Sequence, residues 1–177
     1  MRRLLPVIGL AFLLAAFAAG CLPPPEPEQN GRLSDSSLSD ITPTCRVAND
    51  VAQPLRQLLA AAYADGVNVQ PETKAYLEPL PIVPPRNESC YRTYEMQVWW
   101  RDLYCGVGHC EFAAVPGTSI HGWGRAVDFE DKWLGKLNFE SPAYVWLQLH
   151  AAAYGFVHPA WAEPGGSAPE PWHWEHP

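Results

Sequence analysis

Two short segments carry side chains able to do chemistry together. The first, running from Gly117 to Asp128, contains His121 and Asp128. The second, Glu170-Pro171-Trp172-His173-Trp174-Glu175, contains His173 with Glu170 three residues before it. Two histidines and an aspartate are donor types that zinc accepts, and three protein donors leave one coordination position open, as catalytic sites require. Zinc in such a site lowers the pKa of water and polarises a scissile carbonyl. A carboxylate at Glu170 can take the water's proton and hand it to a leaving amine. Gly122 and Gly124 let the chain turn sharply after His121 before it enters a strand bearing Asp128. No His-Glu-x-x-His sequence occurs, which excludes the helical zincin arrangement.

These residues resemble the VanY-type D-alanyl-D-alanine carboxypeptidases of the LAS zinc peptidase group. The family pattern Ser-x-His-x-x-Gly-x-Ala-x-Asp is met by Ser119, His121, Gly124, Ala126 and Asp128, and its Glu-x-x-His pattern by Glu170 and His173. A third segment, Ser-Gly-Tyr-Arg-Ser with Gln five residues after the Arg, is met by Ser89-Cys90-Tyr91-Arg92-Thr93 and Gln97, with Cys90 in place of the usual Gly. The resemblance implies zinc bound by His121, Asp128 and His173, with Glu170 as general base and then acid. It implies that Arg92 holds an anion near the metal, either an oxyanion or a substrate carboxylate. It also implies that Ser119 and Gln97 hydrogen-bond the peptide. The implied fold is α+β, a small antiparallel sheet with flanking helices of the LAS and hedgehog-like zinc peptidase type. The implied reaction is removal of a terminal D-alanine from peptidoglycan stem peptides. Two alternatives stand beside it: an endopeptidase of the same group, of the L-alanyl-D-glutamate type, and a non-catalytic envelope-binding domain retaining a zinc site.

Several elements must position these groups. Apolar residues at Val51, Leu55, Leu58, Leu59 and Ala62 repeat with a helical period within 47–64, and Asp65-Gly66 ends that helix. A second helix is expected over 93–104, capped by Thr93, with Val98, Trp99, Leu103 and Tyr104 as its buried face. Ser141-Pro142 opens a third, running to about Tyr154 before Gly155. Residues 126–129, 156–157 and 172–175 read as short strands, and the proline-rich stretch 77–85 as loop or edge. Mixed helices and short strands point to α+β. Trp123, Trp172 and Trp174 read as packing residues, and His109, His150, His158 and His176 as ordinary structural histidines.

Arg2 and Arg3, the apolar run 4–19 and a small-residue end make residues 1–20 a secretory signal. Ala18-Ala19-Gly20-Cys21 resembles a bacterial lipobox, so Cys21 is the expected lipidation site of an exported, membrane-anchored lipoprotein of the cell envelope. Residues 21–44, proline-rich and then Ser/Asp-rich, read as a flexible tether, and 45–177 as the peptidase domain. Removing Cys21 leaves Cys45, Cys90, Cys105 and Cys110, an even number that implies disulfides in an exported chain. Four cysteines allow three pairings. Closure of Cys105 on Cys110 across a Gly-containing turn would leave Cys45 for Cys90. The rival is a zinc knuckle of Cys105, His109 and Cys110. The formal net charge of −7 gives no electrostatic footprint for nucleic acid.

Overall fold

The computed structural model describes residues 27–73 and 89–177. The signal segment, Cys21 and the stretch 77–85 lie outside the described residues. Strand β1 (Leu38–Thr42) pairs antiparallel with β2 (Cys45–Ala48). Helix α1 (Asn49–Ala64) follows directly and buries Val51, Leu55, Leu58 and Ala62, the period legible in its sequence. It stops where Gly66 adopts a positive φ, and the Val67 amide then bonds back to the Ala62 carbonyl.

A second sheet is centred on β4 (Ala126–Asp131), every residue of which is buried. It pairs antiparallel with β3 (Val69–Pro71), β5 (Gly135–Lys136) and β6 (His173–Glu175). Alternate residues Val127 and Phe129 of β4 join the core with Leu55, Leu58, Leu147 and Phe156. Helix α3 (Pro142–His150) packs Ala143, Trp146 and Leu147 into that core and passes into a 3-10 turn, Ala151–Tyr154, ended by Gly155. Residues 156–157 form a single bridge, Val157 to Glu175, instead of a strand. The α+β class holds.

Two further expectations about elements fail. Residues 27–44 are not a tether: they contain β1, and Asn30 is buried although the groups it touches lie 67 and 89 residues further along the chain. Its Nδ2 donates to the Ser119 carbonyl at 2.8 Å and its Oδ1 accepts from Gln97 Nε2 at 3.0 Å. Next to it the Gly31 amide bonds to the Gly122 carbonyl. Helix α2 (Tyr94–Gly106) is capped as expected, with Thr93 Oγ1 accepting from the Met96 amide at 3.2 Å. Its expected buried face is not buried, however. Leu103 is 41% exposed, and α2 buries Met96 and Gln97 instead. Gln97, Trp100 and Tyr104, one face of the helix by their spacing, form a wall of the groove described next.

Candidate metal centre and active site

His121 sits in a 3-10 turn, Ile120–Trp123, that enters β4 through Gly124. Gly124 has φ +65°, and a Cβ there would lie 2.7 Å from the Ala48 amide, so only glycine fits. Asp128 lies mid-strand on β4, and His173 is its direct partner across the β4–β6 pairing. Strand register thus places two of the three donors side by side although 45 residues separate them.

The donor atoms form a small triangle. His121 Nε2 is 3.2 Å from His173 Nδ1 and 3.3 Å from Asp128 Oδ1, and His173 Nδ1 is 3.0 Å from Asp128 Oδ1. All three residues are buried. The other ring nitrogens are committed elsewhere. His121 Nδ1 donates to the Cys90 carbonyl at 2.8 Å, and His173 Nε2 donates to Glu175 Oε1 at 3.1 Å. Those bonds leave Nε2 of His121 and Nδ1 of His173 as lone pairs facing each other and a carboxylate oxygen. Three lone pairs at this separation repel unless a cation lies among them: a proton on His173 Nδ1, donated to Asp128 Oδ1, in the metal-free protein, or a metal ion in its place. Tetrahedral zinc with bonds of about 2.0–2.1 Å sets its donors about 3.3 Å apart, so the triangle fits one face of that polyhedron.

Burial, then the Arg92 charge, pushes His121 down to about 4. Burial also opposes charging of His173, but hydrogen bonds to Asp128 and Glu175 and the charges of Asp128 and Glu170 outweigh it, holding His173 up to about 9. These shifts have opposite signs in the metal-free protein. The His173 contribution to stability is complete below 6.5 and disappears as pH rises toward 9; that of His121 is complete above 6.5 and disappears as pH falls toward 4. Their joint contribution is therefore expected to peak near pH 6.5 in chelator. Because zinc must displace the His173 proton, the thermal shift on adding zinc should grow from pH 6 to 9. Thermal unfolding across that range, with zinc and with chelator, checks both limbs; a zinc shift that shrinks with pH would contradict them.

The triangle opens on a groove of about 410 Å³, lined among others by Arg92, Ser119, Lys136, Trp161, Glu170 and Trp172. The Glu170 carboxyl is raised above its ordinary value by burial, and the Asp128 charge adds to this, while His173, Arg92 and Lys136 oppose it. Arg92 Nη2 donates to Asp128 Oδ2 at 2.8 Å, so the guanidinium braces the donor carboxylate itself. Ser119 reaches the groove, and its carbonyl rather than its hydroxyl ties it to Asn30. Gln97 differs from expectation. It is 4% exposed, Nε2 donates to Asn30 Oδ1 and the Arg92 carbonyl, and Oε1 accepts from the Gly117 amide at 2.9 Å. Its amide is spent bracing the groove wall, which leaves it no donor for a substrate. Both disulfides pair as expected, Cys45 with Cys90 and Cys105 with Cys110, so no zinc knuckle forms.

Three contributors were not assigned from the sequence. Glu175, two residues beyond His173 on the same face of β6, was legible from strand alternation. Trp161 stands with its ring centroid 4.9 Å from that of His173, at the groove. His158, read as an ordinary histidine, donates from Nε2 to the Glu170 carbonyl at 3.0 Å. Its Nδ1 lies 3.0 Å from Glu163 Oε1, at an angle too skewed for a hydrogen bond. Glu163 in turn is held by Tyr144 and Gln148 of α3. A chain of contacts therefore runs from α3 to the backbone of Glu170. His158→Phe is expected to lower kcat by roughly 10-fold, by leaving that carbonyl unsatisfied and its loop loose, with zinc content unchanged. Steady-state kinetics with metal analysis checks this, and His158→Gln should recover part of the loss.

A buried His-Asp-His donor set beside a half-buried glutamate, carried on this α+β scaffold, places the chain among the zinc-dependent peptidases. The family model for VanY D-alanyl-D-alanine carboxypeptidase matches residues 83–176, and the chain belongs to that family. Among solved structures it is similar to the vancomycin-resistance D,D-pentapeptidase VanY of the VanB-type cassette, an alanine variant with Zn(II). Identity is 28% and the TM-score 0.57, over 78% of this chain and 77% of that one. It is likewise similar to VanYB in complex with D-alanine-D-alanine, at 29% identity and a TM-score of 0.58, over 78% and 76% of the two chains. The L,D-carboxypeptidase DacB of Streptococcus pneumoniae matches at 27% identity and a TM-score of 0.51, over 76% and 69%. No curated protein sequence matches the chain.

Proposed function

We propose that the chain removes the terminal D-alanine of peptidoglycan stem pentapeptides, with His121, Asp128 and His173 as its zinc ligands. The observation that carries this reading is the triangle of lone pairs, 3.0 to 3.3 Å on a side, opening on a groove that Glu170 also lines. Zinc bound there supplies a water of lowered pKa and polarises the scissile carbonyl. Glu170 takes the proton from the attacking water and delivers it to the leaving amine, a double duty suited by its raised pKa. Arg92 keeps Asp128 oriented and places positive charge where the carbonyl oxygen becomes negative. The Ser119 hydroxyl bonds the peptide backbone.

The test is metal analysis joined to mass spectrometry of digested muropeptides, with and without chelator. Zinc-dependent loss of one alanine from pentapeptides supports the reading. Cleavage of tetrapeptides alone, or within the stem, overturns it in favour of an L,D-carboxypeptidase or an endopeptidase.

In this reading Cys21 carries the lipid and the domain is exported to the cell envelope. Cys21 lies six residue steps before the first described residue, 27. Fully extended, they span roughly 20 Å, which keeps the domain at the bilayer surface and not at the end of a long tether. No helix among the described residues is long and apolar enough to cross a membrane. Loss of lipid labelling and of membrane fractionation in Cys21→Ala tests the anchor.

A further inference from the structure

Among the described residues two lysine or arginine side chains line the groove, Arg92 and Lys136. Their settings differ. Arg92 is bonded to Asp128, on the metal side. Lys136 sits on β5, paired to β4 at Glu130, with its ammonium 3.5 Å from the centre of the Trp172 ring. Among the described residues it has no carboxylate partner, in a groove whose walls carry Glu72, Glu111, Glu170 and Glu175. A cation held over an aromatic face keeps its remaining N–H donors available for a ligand. Its charge acts on the Glu170 carboxyl, opposing the upward shift there.

We infer that Lys136 anchors the terminal carboxylate of the substrate. The proposal rests on the carboxypeptidase reading and sharpens it. In a peptide cut at its last bond, the free carboxylate is separated from the leaving nitrogen by a single carbon. The cation receiving it must therefore stand close to the base that protonates that nitrogen. Lys136 meets this condition: its ammonium stands over Trp172, two residues after Glu170, in the same groove, and the pairing of β5 with β4 places its backbone there. Its positive charge also offsets the repulsion of an anionic peptide by the acidic walls. Lys136 would thus separate an exopeptidase, which requires a free carboxylate, from an enzyme that accepts a continuing chain.

The test uses zinc-loaded protein and three pentapeptides ending in D-alanyl-D-alanine: the free acid, its C-terminal amide, and a form with only the side-chain carboxylates amidated. Wild type is expected to prefer the acid over the terminal amide by about 10- to 100-fold in kcat/KM. Lys136→Gln should bring that ratio close to one, mainly through KM, and Lys136→Arg should retain much of it. An unchanged ratio in Lys136→Gln overturns the proposal. So does a response to side-chain amidation alone, which would assign Lys136 to a different carboxylate. Calorimetric binding of the acid and amide to Glu170→Gln, with and without Lys136→Gln, reads the same contact without turnover. If zinc-loaded wild type cleaves none of the peptides, the carboxypeptidase reading fails, while the binding ratio still decides Lys136.

Discussion

Glu170→Gln is expected to lower kcat by about 100- to 10,000-fold with little change in KM and none in zinc content. Glutamine keeps the shape and the hydrogen-bonding reach of the side chain but can neither take nor return a proton. Glu170 is not among the three converging donors, so metal binding should survive. The loss corresponds to roughly 3–5 kcal/mol of transition-state stabilisation, the range expected of a single acid–base group. Binding of substrate to the variant should persist, because the groove walls and Lys136 are untouched. Steady-state kinetics, metal analysis and calorimetry of peptide binding form the check. Zinc lost together with activity would make Glu170 a ligand; a change confined to KM would make it a binding residue. Either result removes it from the proton path.

The donor set was legible because its chemistry is local. Each motif names its donor and supplies the glycines that shape the backbone around it, and Gly124 does adopt the positive φ that its position after His121 suggests. The register that sets Asp128 opposite His173 was not read from the sequence, which offered residues 126–129 and 172–175 only as separate strands; the antiparallel pairing is what puts the two donors on one face. Composition misled over 27–44. Serine, aspartate and proline give that stretch the look of a linker, but its order comes from Asn30 and Gly31 docking on Ser119, Gly122 and Gln97, contacts with no periodic signature.

Side-chain type misled at Gln97 and on α2. An amide near an active site suggests substrate binding, yet the bonds of Gln97 to Asn30, Arg92 and Gly117 consume it. Aromatic residues on a helix suggest a core, yet Trp100 and Tyr104 stack at 5.7 Å as a groove wall. A binding surface and a core draw on the same apolar residues, and only the facing element tells them apart. His158, Trp161 and Lys136 converge on the site from a long loop and a short strand, a juxtaposition that tertiary packing alone creates.

Replacing Cys45 and Cys90 together by alanine is expected to destabilise the protein by about 4 kcal/mol and to weaken zinc binding about 10- to 100-fold. The first effect follows from opening a 45-residue covalent loop in the unfolded chain. The second comes from what this disulfide holds. Cys90 opens a four-residue stretch pinned to β2 by the disulfide and by the Tyr91 amide on the Arg46 carbonyl. Its carbonyl accepts from His121 Nδ1, and the Ser89 carbonyl just before it accepts from the Asp128 amide. The Arg92 amide donates to the His121 carbonyl, and the Arg92 side chain to Asp128 Oδ2. Two of the three metal donors are thus oriented from one segment. Alanine keeps the Cys90 carbonyl, but without the disulfide the segment is held less firmly, and loosening an outer hydrogen-bond partner of a metal ligand is expected to cost affinity on this scale. The Cys105–Cys110 disulfide provides the control, because it closes a loop of sequence separation 5 at the end of α2. Its removal should cost about 2 kcal/mol and leave zinc affinity unchanged. Denaturant unfolding of the metal-free proteins and zinc competition with a chromophoric chelator separate the two terms. Equal zinc affinities in both disulfide variants would mean that Cys90 staples the fold without orienting the metal site.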